Sequence, residues 1–527
     1  RQISIVIGGI AALFVVSGRS AYPALISVLG INSNTYYTWL TLHGMNMLIF
    51  WILWFEIPLL YFVSTVLLNA PIYRASFGWL AFILMFLGWL FIEITIITGN
   101  ATVLFTAYPP LVAHPLFYVG YILFALGAGI GVVLFFLTLY RAKIEGRYKG
   151  SLPLVTWGAG IAAIIALTVV VHGAISLIYT VFWLSNVIPL NVMIYRWFFW
   201  GLGHDAQYVN VTAMVAVWYA LLALGTGFIA ANFVNERYAR IAFGLYAIFV
   251  IPGIGHHILV DPGFSPVLKQ ASGSVGSHFL SVASMLHALA LLGGLEATLR
   301  ATGHTSLLGW LKRVPWKNPG IVGMLFSMLL FGIGGITGQP QTTLQPNLNY
   351  HNTLWVPGHF HYTVVGGTSL AFMTLSYYVL PLISLRKLYS VKLATLQIYL
   401  FFLGILILGL GMTLSGLAGI PRRTFIIPEL MFSDWWNYTS LLIIGGVIAI
   451  IGGILFVLNM VLTLFAGKKT TDRNELIGGL IYPLKLKEGS EVHKKGALVI
   501  VIIMLVIVLL AIYFGSFVRL LTMNPIW

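Results

Sequence analysis

Histidine and tyrosine supply most of the chemistry open to this sequence. In Pro357-Gly358-His359-Phe360-His361 two imidazoles open a long apolar run, so both sit near one end of a helix. Residues two apart on an α-helix point about 200° from each other. The pair cannot easily serve one metal ion, but it can serve two, on opposite sides of one helix. His204 and Tyr208 are four apart and share a helix face. His256 and His257 are neighbours in Pro252-Gly253-Ile254-Gly255-His256-His257. Neighbours diverge by about 100° on a regular helix. Long imidazoles can still converge on one ion where Gly and Pro loosen the turn. Three neutral imidazoles suit copper. His43 precedes Gly44, where a flat ligand could approach the backbone. Pro421-Arg422-Arg423 offers two guanidinium forks, which bind paired carboxylates well and otherwise simply stay solvated. Each motif alone has an ordinary reading as a satisfied core or surface residue; their joint placement decides.

The elements that must position them are membrane helices. The chain has 527 residues, of which 59% are hydrophobic and 8% charged, which excludes a soluble globular protein. Cysteine is absent, which removes disulfides, thiolate metal sites and iron–sulfur clusters. Thirteen apolar spans are expected near 2–28, 37–68, 76–100, 112–140, 153–188, 196–233, 239–260, 274–299, 318–338, 353–383, 392–417, 436–467 and 497–521. They read as one transmembrane domain, with core helices over 1–467 and an extra C-terminal helix over 497–521. The first span lacks a polar region and a small-residue cleavage site, so it is expected to persist as a helix.

The positive charges orient this map. With the N-terminus in the cytoplasm, Arg19, Arg196, Lys269, Arg422, Arg423 and Arg519 face outside and every other Lys and Arg faces inside. Such a bias is a strong topology signal, and it places the C-terminus outside. It also accounts for the +15 net charge without a nucleic-acid partner. In this frame His43, His204, His256, His257, His359 and His361, carried by four helices, all fall in the outer third of the membrane. Ionisable groups at membrane depth are costly and usually functional.

These five stretches resemble subunit I of the haem–copper oxygen reductases, the cytochrome and quinol oxidases, over residues from about 37 to 425. The resemblance implies an all-α polytopic fold with twelve core helices, and a thirteenth makes the chain most similar to the B-type branch. It implies His43 and His361 as axial ligands of a low-spin haem, and His359 as the single protein ligand of a high-spin haem. His204, His256 and His257 would hold the copper ion CuB. Tyr208 is similar to the tyrosine joined to the first copper histidine, and would give an electron and a proton when the O–O bond breaks. Arg422, Arg423 and His351 would meet haem propionates. At least one haem would be a-type. Spacing agrees with the haem assignment, since a relay haem needs two axial ligands and a catalytic haem must keep one side open.

Departures from the A-type branch matter. That branch reads His-Pro-Glu-Val-Tyr where this chain has His204-Asp205-Ala206-Gln207-Tyr208, so its membrane glutamate is missing. Asn69-Ala70-Pro71 offers no Asp in the loop after span two, and His351-Asn352 stands for a His-Asp pair, so no magnesium ion is expected. One proton route remains. Tyr219 lies three turns inward from Tyr208. Ser277, Ser281 and Ser284 form a polar stripe on span eight, with His287 after it. The resemblance points to Tyr219, Ser281 and Ser284; helix packing is the ordinary reading of the stripe. Glu56 and Glu93 have no partner named by the sequence. His114, His172, His278, His304 and His493 read as structural or solvated.

The expected function is therefore the catalytic subunit of a terminal oxidase in a prokaryotic plasma membrane. It would reduce O2 with electrons from quinol or from a cytochrome c or cupredoxin, with subunit II-type partners. A nitric oxide reductase would carry glutamate in place of Tyr208 and iron in place of copper. A proton-coupled secondary transporter would show no haem bands. A haem-bearing scaffold without turnover is disfavoured by the complete copper set.

Overall fold

A computed structural model describes residues 2–17, 28–303, 306–425, 435–490 and 492–522, with backbone alone for residues 2, 16, 17 and 514–522. The part of the first span at 18–27, His304 and the side chains of Arg19 and Arg519 lie outside the described residues. In chain order the long helices are α1 (Gln2–Ser17), α2 (Ser33–Thr65), α3 (Ala75–Ile97), α4 (Pro115–Ile144), α5 (Leu154–Leu184) and α6 (Val192–Gly225). Next comes α7, a helix over Glu236–Phe249 continued by a 3-10 turn over Pro252–Ile258 and bent by 55°. Then follow α8 (Pro266–Arg300), α9 (Pro319–Thr342), α10 (Trp355–Ser384), α11 (Val391–Leu417), α12 (Trp435–Ala466) and α13 (Lys495–Thr522).

Among the described residues, eleven helices are long and apolar enough to cross a membrane, or twelve if the bent α7 is one span. The expected count was thirteen. The difference is α1, whose described helix has only 16 residues, fewer than the roughly 20 that a membrane requires. The described residues contain no strand, only two isolated bridges.

The chain forms two compact units. The first comprises Arg1–Ala213, Tyr246–Ser277 and Arg423–Ser440; the second comprises Met214–Leu245, His278–Arg422 and Leu441–Trp527. In the first, α3 and α4 approach through glycine. A Cβ on Gly88 would lie 2.5 Å from the Gly120 carbonyl oxygen, and one on Gly127 would lie 2.6 Å from that of Ala81. Small residues let apolar helices come this close where water gives no drive to associate. In the second, α9 packs against α10, α11 and α13. There Trp218 Nε1 donates to Ser327 Oγ at 2.7 Å, and that hydroxyl donates to the Gly367 carbonyl at 2.7 Å. Glu296 accepts from the backbone N–H of Gly496 (3.1 Å) and Ala497 (2.6 Å), capping α13, and pairs with Arg300 at 2.7 Å. Both side chains are fully buried, so removing one would strand the other's charge at a cost of about 3–5 kcal/mol.

Three π-helical stretches interrupt the long helices: Asn46–Phe50 in α2, Lys269–Gly276 in α8 and His361–Ser369 in α10. The first starts three residues after His43, the second packs on the 3-10 turn that carries His256 and His257, and the third begins at His361 itself. Such widened turns occur often at functional sites.

Candidate metal centre and its surroundings

His204 rises from the middle of α6, and His256 and His257 come from the 3-10 turn of α7. Each can offer one ring nitrogen to a common point, and these atoms lie within 4.8 Å of one another. The turn answers how two neighbours converge. Pro252 ends regular hydrogen bonding, the chain tightens, and the His256 and His257 rings come to 3.8 Å between centroids. His204 is buried, and its Nε2 has no hydrogen-bond partner. An orphaned imidazole nitrogen costs free energy unless something else bonds to it. A metal ion would satisfy that lone pair, and an all-imidazole donor set suits copper.

The surroundings hold these rings in place. His256 Nδ1 meets the Gly253 carbonyl at 2.9 Å and Ser277 Oγ at 3.3 Å. His204 has a backbone hydrogen bond to Val250. The His257 ring stacks on Trp200 at 3.7 Å with the planes 2° apart. Tyr208 tilts against His204 with ring centroids 4.8 Å apart, and Tyr246 lies 6.1 Å from Tyr208. The single helix face expected for His204 and Tyr208 is thus borne out in their contact.

His43 belongs to the same unit. Its Nδ1 meets the Gly8 carbonyl of α1 at 2.9 Å. Gly44 faces the Phe105 side chain, with 3.4 Å from a notional Cβ. In the other unit, His359 Nδ1 meets the Gly334 carbonyl at 2.7 Å, and its ring lies against Gly338 of α9. His361 Nδ1 turns back onto the Pro357 carbonyl at 2.7 Å. His43, His256, His359 and His361 therefore share one arrangement, with Nδ1 on a backbone carbonyl. That contact fixes the tautomer as Nδ1–H and leaves the Nε2 lone pair for a metal. Residues and donor chemistry fit a set of imidazole-held metal centres.

The adjacent arginines part company. Arg422 donates to Asn352 Oδ1 through Nε (3.3 Å) and Nη2 (3.0 Å), and its backbone N–H donates to the Asn352 carbonyl at 2.8 Å. Arg423 takes a left-handed φ of 60° and directs Nη1 at Thr106 Oγ1, 3.4 Å away. It also stands over the Phe105 and Tyr108 rings at 5.5 and 5.7 Å. Burial pushes the Arg423 guanidinium down from its ordinary value, and Tyr108 pulls it back up. A guanidinium so placed favours an anionic partner. His351 is half-buried beside Asn352.

Several partners were not legible. Asn46 donates to Glu93 at 2.7 Å. One terminal atom of the Asn210 amide faces two acceptors, so it is nitrogen; it then donates to Glu56 Oε1 at 2.8 Å and to the Ala206 carbonyl at 3.2 Å. Asp205 accepts from Thr168 at 2.7 Å, and Arg196 pairs with Asp261 at 2.7 Å. On the serine stripe of α8, Ser277 belongs with His256, Ser281 accepts from Gln339, and Ser284 donates to its own helix at Leu280. Tyr219 meets His287 at 3.0 Å. Trp200 and His287 had a usable signal: the first lies one turn before His204, the second three residues after Ser284.

Fold and site together define a multi-pass helical membrane protein with three histidines placed where they could hold one metal ion. The chain belongs to the family of cytochrome c and quinol oxidase polypeptide I, whose model matches residues 2–448. It is similar to cytochrome c oxidase subunit 1 of Thermus thermophilus, 30% identical over 413 residues, which cover 77% of this chain and 72% of that protein. It is similar to a probable quinol oxidase subunit 1 of Staphylococcus haemolyticus, 26% identical over 82% of this chain and 64% of that protein. Among solved structures it is similar to a haem–copper terminal oxidase dimer seen by cryo-electron microscopy, with a TM-score of 0.80 and 26% identity over 97% of this chain and 89% of that one. The chain is thus an oxidoreductase of the terminal oxidase type, in a family that holds haem and copper.

Proposed function

We propose that this chain is the catalytic subunit of a B-type terminal oxidase that reduces O2 to water, taking electrons from quinol or from a cytochrome c or cupredoxin. The observation that carries the reading is the meeting of His204, His256 and His257 beside Tyr208, with a buried Nε2 on His204 awaiting a partner. His204, His256 and His257 would hold copper, His359 the iron of a high-spin haem, and His43 and His361 the iron of a low-spin haem. When bound, the low-spin haem supplies an electron relay, and the high-spin haem with copper supplies the oxygen-reducing centre. Arg422, Arg423 and His351 would meet the propionates.

The chain's own work is positioning and proton handling. Backbone carbonyls of Gly8, Gly253, Gly334 and Pro357 fix the Nδ1–H tautomer of four imidazoles and aim Nε2 away from the helix backbone. Tyr208 holds a proton on its hydroxyl oxygen, next to the copper set, where reduced oxygen needs one. Tyr219, Ser281 and Ser284 would bring protons from the cytoplasmic side. Tyr208, in the place where a nitric oxide reductase has glutamate, supports oxygen as substrate. In a purified complex we expect copper alongside haem iron, and oxygen uptake with quinol or cytochrome c. Iron in place of copper, or no haem bands in a reduced-minus-oxidised spectrum, would overturn the reading.

Gly338 gives a sharper check. A methyl there would sit 2.5 Å from His359 Cε1 and 2.9 Å from Nδ1. Gly338→Ala should therefore push the ring off the Gly334 carbonyl and weaken the high-spin centre by about 10–100-fold in haem affinity. The carbon monoxide difference spectrum should shrink while the low-spin bands persist. An unchanged carbon monoxide spectrum would mean that His359 is not the ligand.

A further inference from the structure

We propose that His287 is a proton-relay residue, passing protons from the serine flank of α8 to the Tyr219 hydroxyl. This rests on the proposed inward proton route through Tyr219. His287 is fully buried, and its Nδ1 lies 3.0 Å from the Tyr219 hydroxyl of α6. Phe243 of α7 covers its face, with ring centroids 4.3 Å apart. On α8 the residues Ser281, Ser284 and His287 follow at three-residue steps, so they line one flank of the helix. Ser284 uses its O–H on the Leu280 carbonyl at 3.2 Å, and Ser281 takes a hydrogen from the Gln339 amide of α9. A hydroxyl can both accept and donate a proton in passing.

An imidazole differs from those hydroxyls in having two nitrogens on opposite ring edges. One can take a proton while the other gives one. A proton arriving from the serine flank bonds to Nε2. The Nδ1–H bond breaks, and that proton bonds to the Tyr219 oxygen as the tyrosine's own O–H proton leaves along α6. The ring is left with its proton on Nε2 and turns about its side-chain bonds before the next transfer. No redox partner is needed. Tyr219 of α6 is a titratable group that meets His287 from another helix, and the Phe243 ring of α7 is not titratable.

The test uses the purified oxidase complex with His287→Gln, Tyr219→Phe and the double variant. Glutamine keeps a hydrogen bond to Tyr219 but does not carry a proton at neutral pH. His287→Gln should lower oxygen uptake about a hundredfold, the scale of lost proton-transfer catalysis, with haem spectra unchanged. It should raise the H2O/D2O rate ratio. The double variant should be no slower than the slower single one, because both act on one path. His287→Gln at wild-type speed with Tyr219→Phe slow would overturn the relay and leave the route standing. Tyr219→Phe at wild-type speed would overturn the route and the relay with it. Losses that multiply would overturn the relay. If the glutamine variant loses its haem bands, His287→Asn is read by the same criteria.

Discussion

His204→Ala is expected to leave a complex that has lost its copper and its oxygen uptake but keeps the bands of the low-spin haem. The reason lies in how few groups can substitute. The ring nitrogens that can meet at one point come from His204, His256 and His257 alone among the described residues. Removing one leaves two imidazoles from a single turn. Those two cannot reposition, since His256 is tied to the Gly253 carbonyl and Ser277, and His257 is stacked on Trp200. Losing a hydrogen-bonded partner of a ligand already weakens metal affinity by about 10–100-fold, so losing a ligand should cut the copper-to-haem ratio by more than about tenfold. His43 and His361 make their backbone contacts to Gly8 and Pro357, untouched by the change. Metal analysis beside a reduced-minus-oxidised spectrum reads both halves of the expectation. A variant replete in copper would show that the three imidazoles do not hold it.

Some of this site could be read from residue order, and some could not. The spans were legible because an apolar stretch of about twenty residues matches the thickness of a bilayer and exceeds what a soluble core needs. The sharing of a face by His204 and Tyr208 was legible because helix period fixes it. Convergence of His256 with His257 was half legible: Pro252 and two glycines announced a loosened turn, but not its tightening into 3-10 geometry. The π-helical stretches were not legible, since an extra residue in a turn is set by what the helix packs against. Nor were the partners of buried acids. Periodicity tells which side of a helix Glu56 and Glu93 occupy, not that Asn210 and Asn46 stand opposite. The spare histidines follow the same rule. His114 and His493 accept from backbone N–H groups at helix starts, and His172 meets the carbonyl one turn back, all local bonds that match their structural reading. Arg422 and Arg423 show the limit of motif reading. Their adjacency did not reveal their protein partners: Arg423 takes a left-handed φ, Arg422 bonds Asn352 and Arg423 bonds Thr106.

Tyr208→Phe should separate metal binding from turnover. The ring packs tilted against His204, and phenylalanine preserves that contact and nearly its volume. Copper and both haems should therefore remain, with their spectra little changed. What disappears is one O–H. A neutral phenol next to a metal-bound imidazole can surrender a proton, and with it an electron; a phenyl ring can do neither. Proton transfer by a placed side chain contributes about 10²–10⁴ to rate, so oxygen uptake should fall by at least about a hundredfold at full metal content. Thr212 donates to the Tyr208 carbonyl at 2.6 Å, a contact the substitution does not disturb. Loss of turnover could then not be assigned to a displaced helix. A phenylalanine variant with unreduced oxygen uptake would remove Tyr208 from the chemistry, while His204, His256 and His257 would still stand as the copper ligands.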